Sequence, residues 1–576
     1  MKSEDFIKSS TRFEMKQNHD CPLKKRVLDT EECLKCEISD KSIETDEVLD
    51  TEVPFYRKNT SKTLRERRKI ERIVKKHKLS PIYRSNNTNS IGSENFENLG
   101  FSVRRKRSTK NRFTKSTAKA TILSWLIYSG TIQENAVIFS VDETSKQMKN
   151  KGKIRRDGIL CLCCNKIFTV TNFHLHGGRN SDKPYESIFV VKTKISLLSY
   201  MIEAWNKPEE SELHKCNVIE IEGNASDLYD DACMVCADGG NLMCCEECNS
   251  TYHQVCIGLE DVPEGSWYCP YCVCKFCAKP AHEDDNLITC PQCEKRYHWE
   301  CHKMREHQKL DLNRSPVAPF CERNCKKVYD KLIKSMVGKR NELDEGYSWT
   351  LLHQMDGDSE MYIDDKYLRT ICHSKLVVAR RLMEECFEPI QDRHTKIKVI
   401  PSVVYNCGAN FNRIDFKGFY TAILEKNDEI ISVASLRIHG TKLAEMPFIA
   451  TSEVYRCTGM CKRLMSAIEP ALCYLNVENL IIPSVPERIE NWIGRYGFRN
   501  LEVSMKKEIM VHNTLMFHDS VRLQKTLFSS SHLATLRKPR SKAITMRDIE
   551  SVNHHHGLID KYGVSALLDL NLEPSM

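Results

Sequence analysis

No apolar run in the 576-residue chain reaches the roughly 20 residues needed to cross a bilayer. The opening MKSEDFIKSS lacks the apolar stretch of a secretory signal. Hydrophobic residues make up 41% of the chain and aromatics 8%, while mean hydropathy is −0.47. That balance predicts several folded domains separated by solvated segments, since so long a chain exceeds one core. The expectation is a soluble, intracellular protein with no membrane partner. A reducing compartment excludes a disulfide framework, so the 28 cysteines are read as metal ligands wherever they cluster.

Charge is unevenly spread around a net +8. KTLRERRKIERIVKKHK, residues 62–78, has nine Lys/Arg against two Glu, and RRKRSTKNRFTK, residues 104–115, has seven and no acid. These runs are either solvated coil or a nuclear-import or DNA-contacting segment. Residues 1–115 lack apolar periodicity and are expected to be disordered. From 116 to 206, ATILSWLIYSG, GILCLCCNKIF and SLLSYMIEAW predict a small ordered module.

The densest signal lies in 233–325. Cys233, Cys236, Cys245, Cys248, His253, Cys256, Cys269 and Cys272 form C-x2-C-x8-C-x2-C-x4-H-x2-C-x12-C-x2-C. Zinc takes four tetrahedral N or S ligands, and each C-x2-C supplies a pair from one knuckle, so the pattern holds two ions. Cys274, Cys277, Cys290, Cys293, His298, Cys301, Cys321 and Cys325 repeat the order, ending in C-x3-C. Cys244, beside Cys245, is a competing ligand.

The first set resembles a PHD finger over 230–273, and the second a divergent PHD-like finger over 274–335. The match of Cys245-Glu-Glu-Cys248 to that family's cysteine step favours Cys245. Fingers that read trimethyl-lysine place tryptophan two residues before the zinc histidine, because a quaternary cation binds aromatic faces. Here Thr251 stands there, while acids precede the first ligand at Asp230 and Asp231. The finger thus resembles those that bind an unmodified histone amino terminus. The resemblance implies tail contacts from Asp231, Glu246 and Trp267; the alternative is a finger that only packs on its neighbours.

In ISVASLRIHGTKLAEMPFIATSEVYRCTGMCKRLMSAIE, two strands are followed by a loop and a helix. Glycine at such a junction lets several backbone N–H groups and a positive helix end meet an anion. Pro447 lacks a ladder donor, which suits a strand that parts from its neighbour. The stretch resembles the GNAT acyltransferase fold, an α/β (α+β) domain expected over 345–510. Its signature falls on Arg456, Cys457, Thr458, Gly459, Met460 and Cys461. The resemblance implies that these residues, with Ile449 on the preceding strand, hold acetyl-CoA. Cys461 replaces the usual glycine or alanine, but a first helical turn needs no positive φ.

GYSWTLLHQM, SKLVVARRLMEECFEPI, VVYNCGANFNRIDFKGFYTAILE and TGMCKRLM resemble a plant PHD-finger/GNAT family that includes increased-DNA-methylation histone acetyltransferases. The resemblance implies a nuclear chromatin regulator with zinc and acetyl-CoA as cofactors and histone tails as partners. By analogy with histone-modifying GNATs, Glu445 is the general base; no general acid is evident, Tyr496 being a candidate by chemistry alone. The family also carries a Tify-binding module over 116–206. There Cys161, Cys164 and His176 offer three ligands without an evident fourth. The tail, 511–576, ends in LDLNLEP, which resembles the EAR motif that recruits TOPLESS-type corepressors through Leu568, Leu570 and Leu572. Two readings follow: an acetyltransferase targeted by its fingers, or a non-catalytic adaptor carrying a corepressor motif.

Overall fold

A computed structural model describes residues 119–141, 147–178, 182–219, 229–281, 287–305, 320–355 and 365–527. The basic runs and the LDLNLEP motif lie outside the described residues. Among those described, no helix is long and apolar enough to cross a membrane.

The first module is a five-stranded antiparallel sheet in the order Ile167–Phe168, Gly158–Cys161, Met148–Arg155, Val137–Val141, Ile188–Val190. Its helices begin where the sequence supplies caps. The hydroxyls of Thr121, Thr169 and Ser196 accept the N–H of Ser124, Asn172 and Ser199 and start Ile122–Tyr128, Val170–His176 and Leu197–Trp205. The last helix buries Leu197, Leu198, Met201, Ala204 and Trp205 in the same hydrophobic cluster as the C-terminal domain. The module is therefore not a bead on a string.

Each finger has its own small core of cysteines and aromatics. Met243–Cys244 pairs with Thr251–Tyr252, and Ile288–Thr289 with Arg296–Tyr297.

The C-terminal domain is built on nine strands: β1 Arg340–Glu342, β2 Tyr347–Leu352, β3 Phe419–Lys426, β4 Glu429–His439, β5 Leu443–Glu445, β6 Ile449–Thr451, β7 Asn479–Ser484, β8 Arg499–Asn500 and β9 Val521–Thr526. Their order is β1-β2-β3-β4-β5-β7-β9-β8, with β6 on β4. Helices α1 Lys366–Cys386, α2 Val399–Val404, α3 Met460–Tyr474, α4 Ile489–Tyr496 and α5 Val503–Met510 connect them. Every residue of β4 is buried, which accounts for its run of Ile, Val and Ala between turns. The expected boundary at 510 is too early. β9 pairs with both β7 and β8 and closes the sheet, so the domain extends to Thr526.

Candidate functional site

The fingers bring the expected ligands together in four groups: Cys233, Cys236, His253 and Cys256; Cys245, Cys248, Cys269 and Cys272; Cys274, Cys277, His298 and Cys301; Cys290, Cys293, Cys321 and Cys325. Within each group the ligand atoms lie within 4.8 Å of one another. Cys236 Sγ is 3.2 Å from His253 Nδ1, and Cys248 Sγ is 3.6 Å from Cys269 Sγ. A tetrahedral zinc with bonds of about 2.0–2.3 Å sets its ligands about 3.5–3.8 Å apart, so these donor sets fit that ion. His253 Nε2 lies 3.0 Å from the Gly239 carbonyl and His298 Nε2 3.1 Å from that of Pro280, which leaves each Nδ1 to the metal. Cys245 stands in a ligand group and Cys244 does not.

Thr251 is fully buried, and its hydroxyl bonds the Ala232 carbonyl at 2.7 Å, so no cage wall could stand there. Glu246 and Trp267 meet, the Glu246 N–H donating to the Trp267 carbonyl at 2.9 Å, and Trp267 packs edge-on to Tyr252. Asp231 is exposed. Asp230, however, does not face a tail. It is buried, and the Arg413 guanidinium donates to it through Nε at 2.7 Å and a second nitrogen at 3.0 Å. The same guanidinium reaches Asp392 at 2.5 and 3.1 Å. Further bonds join Asn249 Nδ2 to the Asn410 carbonyl (2.8 Å), Asn412 Nδ2 to Ser250 Oγ (3.0 Å) and His518 Nδ1 to Asp238 (2.9 Å). The second finger is held by Gln292 Nε2 on the Ile438 carbonyl at 2.9 Å. Both fingers are thus fastened to the C-terminal domain.

The signature loop lies between β6 and α3. β5 runs parallel to β7 through Glu445↔Ile481, after which Met446-Pro447-Phe448 interrupts it. Beyond the interruption β6 pairs only with β4, while β7 continues on β9, so the sheet opens between them. Pro447 offers no N–H to close the gap. Cys457 and Gly459 have φ of +64° and +82°, and α3 starts at Met460 without a side-chain cap. A Cβ at Gly459 would meet nothing within 4 Å, so its backbone conformation is what demands glycine. The loop is tied by Thr458 Oγ1 to the Tyr455 carbonyl (2.6 Å) and by the Tyr455 hydroxyl to Glu429 (2.9 Å). Arg456 Nε is buried without a hydrogen-bond partner. An uncapped helix start and an orphaned guanidinium nitrogen suit a phosphate. Ile449 is buried on β6, and Cys461 is buried in the first turn of α3. Tyr496 lies on α4 with its ring 5.0 Å from Trp492.

Sequence comparison places the increased DNA methylation 1 C-terminal domain on residues 387–526, the Tify domain binding domain on 152–204 and the PHD-finger on 233–272. The chain is 36% identical over 420 residues to increased DNA methylation 1 of Arabidopsis thaliana, matching 72% of this chain and 35% of the relative. Over that span it is a homologue of increased DNA methylation 1 and carries a PHD-finger, as the family models show. The chain spans about a third of that relative's length. A histone-lysine N-methyltransferase, H3 lysine-36 specific, from Homo sapiens is 34% identical over 88 residues, 15% of this chain and 3% of its own. Among solved structures, Tetrahymena GCN5 aligns at 15% identity over 27% of this chain and 89% of its own, TM-score 0.22. A GNAT family acetyltransferase from Elizabethkingia anophelis with acetyl-CoA bound aligns at 18% identity over 19% and 77%, TM-score 0.16.

Glu445 ends β5, fully buried, and its carboxylate has three close partners. Arg437 Nε donates at 2.6 Å, His439 Nε2 lies at 3.2 Å, and the Leu515 N–H donates at 2.8 Å. Burial alone would raise its pKa, but the Arg437 guanidinium and His439 hold it below the usual carboxylate range. A base tuned for neutral pH is normally raised instead. Next to it, burial pushes His512 down to about 3, and the His512 hydrogen bond draws Glu508 down to about 2. A cleft beside this network is lined by Met234 and Ala237 of the first finger, Arg413, Phe416 and the segment Thr514–His518.

Sequence reading missed the Arg413 clasp, because nothing local links Arg413 to acids 183 and 21 residues away. It also missed Cys163, which stands with Cys161, Cys164 and His176. The CLCC run was the available signal.

Proposed function

We propose that the chain is a nuclear, chromatin-associated histone lysine N-acetyltransferase that uses acetyl-CoA. The opening of the sheet at Met446-Pro447-Phe448, directly before an uncapped helix start, carries the reading. The cofactor supplies an acetyl thioester. Arg456, Cys457, Thr458, Gly459, Met460 and Cys461 bind its pyrophosphate, and Ile449 lines the gap beside its arm. In this reading the substrate is a lysine ammonium. Glu445, bonded to cleft-lining Leu515, takes the ammonium proton so that the amine can attack. Asp231, Glu246 and Trp267 hold an unmodified histone tail on the first finger.

A second reading is favoured by the surroundings of Glu445, buried between Arg437 and His439. A carboxylate held low by a buried arginine is a poor proton acceptor, which suits a non-catalytic adaptor that binds histones and recruits corepressors through Leu568, Leu570 and Leu572. A TOPLESS-type corepressor, a Tify-type partner and DNA at the basic runs are partners proposed on this reading.

Gly459→Glu is the test of the cofactor site. Glutamate at φ +82° strains the loop, and its charge repels a pyrophosphate. Calorimetric titration of the full chain with acetyl-CoA should show affinity falling by on the order of a hundredfold or more, about 3 kcal/mol. Equal affinity in wild type and variant would remove acetyl-CoA from this loop.

A further inference from the structure

We propose that the Tify-binding module contains a structural zinc site formed by Cys161, Cys163, Cys164 and His176, separate from the fingers.

The backbone is the first argument. In each of three finger knuckles the first cysteine's N–H bonds the carbonyl five residues on, and the residue four on bonds back to that cysteine with positive φ. Cys233 does so with Asp238 and Ala237 (φ 62°), Cys274 with Lys279 and Ala278 (φ 56°), and Cys290 with Lys295 and Glu294 (φ 60°). Cys161 repeats the turn: its N–H bonds the Lys166 carbonyl at 2.9 Å, and Asn165, at φ 56°, bonds back at 3.0 Å. Its second cysteine, Cys164, stands three residues on, as Cys236, Cys277 and Cys293 do. A left-handed non-glycine residue is uncommon, and here it recurs at the same place in every one of these knuckles.

The side chains are the second. Cys163 Sγ lies 3.0 Å from His176 Nε2 and 3.1 Å from Cys161 Sγ, and Cys164 Sγ is 3.6 Å from His176 Nε2. All four donor atoms fall within 4.8 Å of one another, as in the fingers. Three thiols and one imidazole gathered at one point form a donor set that suits zinc among the divalent ions. Phe168 stacks on the His176 ring at 4.7 Å and fixes its plane.

The site has a mechanical consequence. It ties the hairpin Gly158–Cys161/Ile167–Phe168 to the end of Val170–His176. The other end of that helix, through the Val170 N–H, bonds Asp428 in the β3–β4 turn at 2.9 Å. A zinc there would fix the far end of the helix whose first N–H meets the C-terminal domain.

Zinc content of the purified full chain, measured by mass spectrometry with protein concentration from amino-acid analysis, tests this. Wild type should exceed both Cys163→Ser and His176→Ala by one zinc per chain, and an exposed neighbouring change, Leu162→Ser, should leave the content at the wild-type value. Equal content in wild type and both ligand variants overturns the site. Should the variants not fold, native wild-type protein is treated with N-ethylmaleimide and Cys163 is followed by peptide mapping. Cys163 is solvent-exposed, so metal binding should protect it until a chelator is added, with a rise in rate of tenfold or more. Alkylation at the chelator-treated rate from the start overturns the proposal.

Discussion

Arg413→Ala is expected to remove on the order of 3–5 kcal/mol of stability and to release the first finger. Arg413, Asp230 and Asp392 are all buried, with Arg413 9% exposed, and one guanidinium serves both carboxylates. Burial alone would raise the Asp392 pKa, and Arg413 instead holds it far below the ordinary value. Without the guanidinium, two buried carboxylates lose the cation they share. Removing one partner of a buried ion pair commonly costs this much, because the other charge stays behind. Here two charges do. Chemical denaturation gives the free energy, and hydrogen exchange over 229–256 locates it. A loss below about 1 kcal/mol, with exchange unchanged in the finger, would mean that the clasp does not hold it.

Cys245→Ala should abolish the fold of the first finger. The cluster of Met234, Cys245, Tyr252, Cys269, Tyr271 and Cys272 is too small to be stable alone, and half of it is zinc ligand. A structural zinc contributes on the order of 10 kcal/mol to such a domain, more than so small a core supplies. Cys244→Ala is the control: Cys244 is also buried but lies outside the ligand group. Zinc content and protease sensitivity should change with the first substitution and stay near wild type with the second. The reverse pattern would exchange the two assignments.

Features that are local in sequence were legible. The cysteine spacings predict groups that the structure does bring together, since a C-x2-C knuckle forms within six residues. The strand, loop and helix around Gly459 were equally readable, because each element carries its own periodicity and Pro447 marks the break. Long-range pairings were not. Arg413 meets Asp230 across the finger boundary, and Asp230 gave only its charge, which suited a tail as well as an arginine. Glu445 was placed by its distance from the loop, but its partner Arg437 lies opposite it on β4 and gives no sequence sign of the pairing. β9 was missed because VRLQKT is mostly polar and buries only Leu523 and Gln524. Cys163 was overlooked because adjacent cysteines hide which ones belong to a knuckle.

Acetyl transfer by the full chain is the most direct measurement. Wild-type protein and the Gly459→Glu variant are incubated with acetyl-CoA and an unmodified histone amino-terminal peptide, and peptide mass is followed with time. Wild type should add one acetyl group, about 42 Da, to a lysine, while the variant leaves the peptide unchanged. A wild-type protein that binds acetyl-CoA yet never changes the peptide mass would contradict the enzyme reading and leave the adaptor.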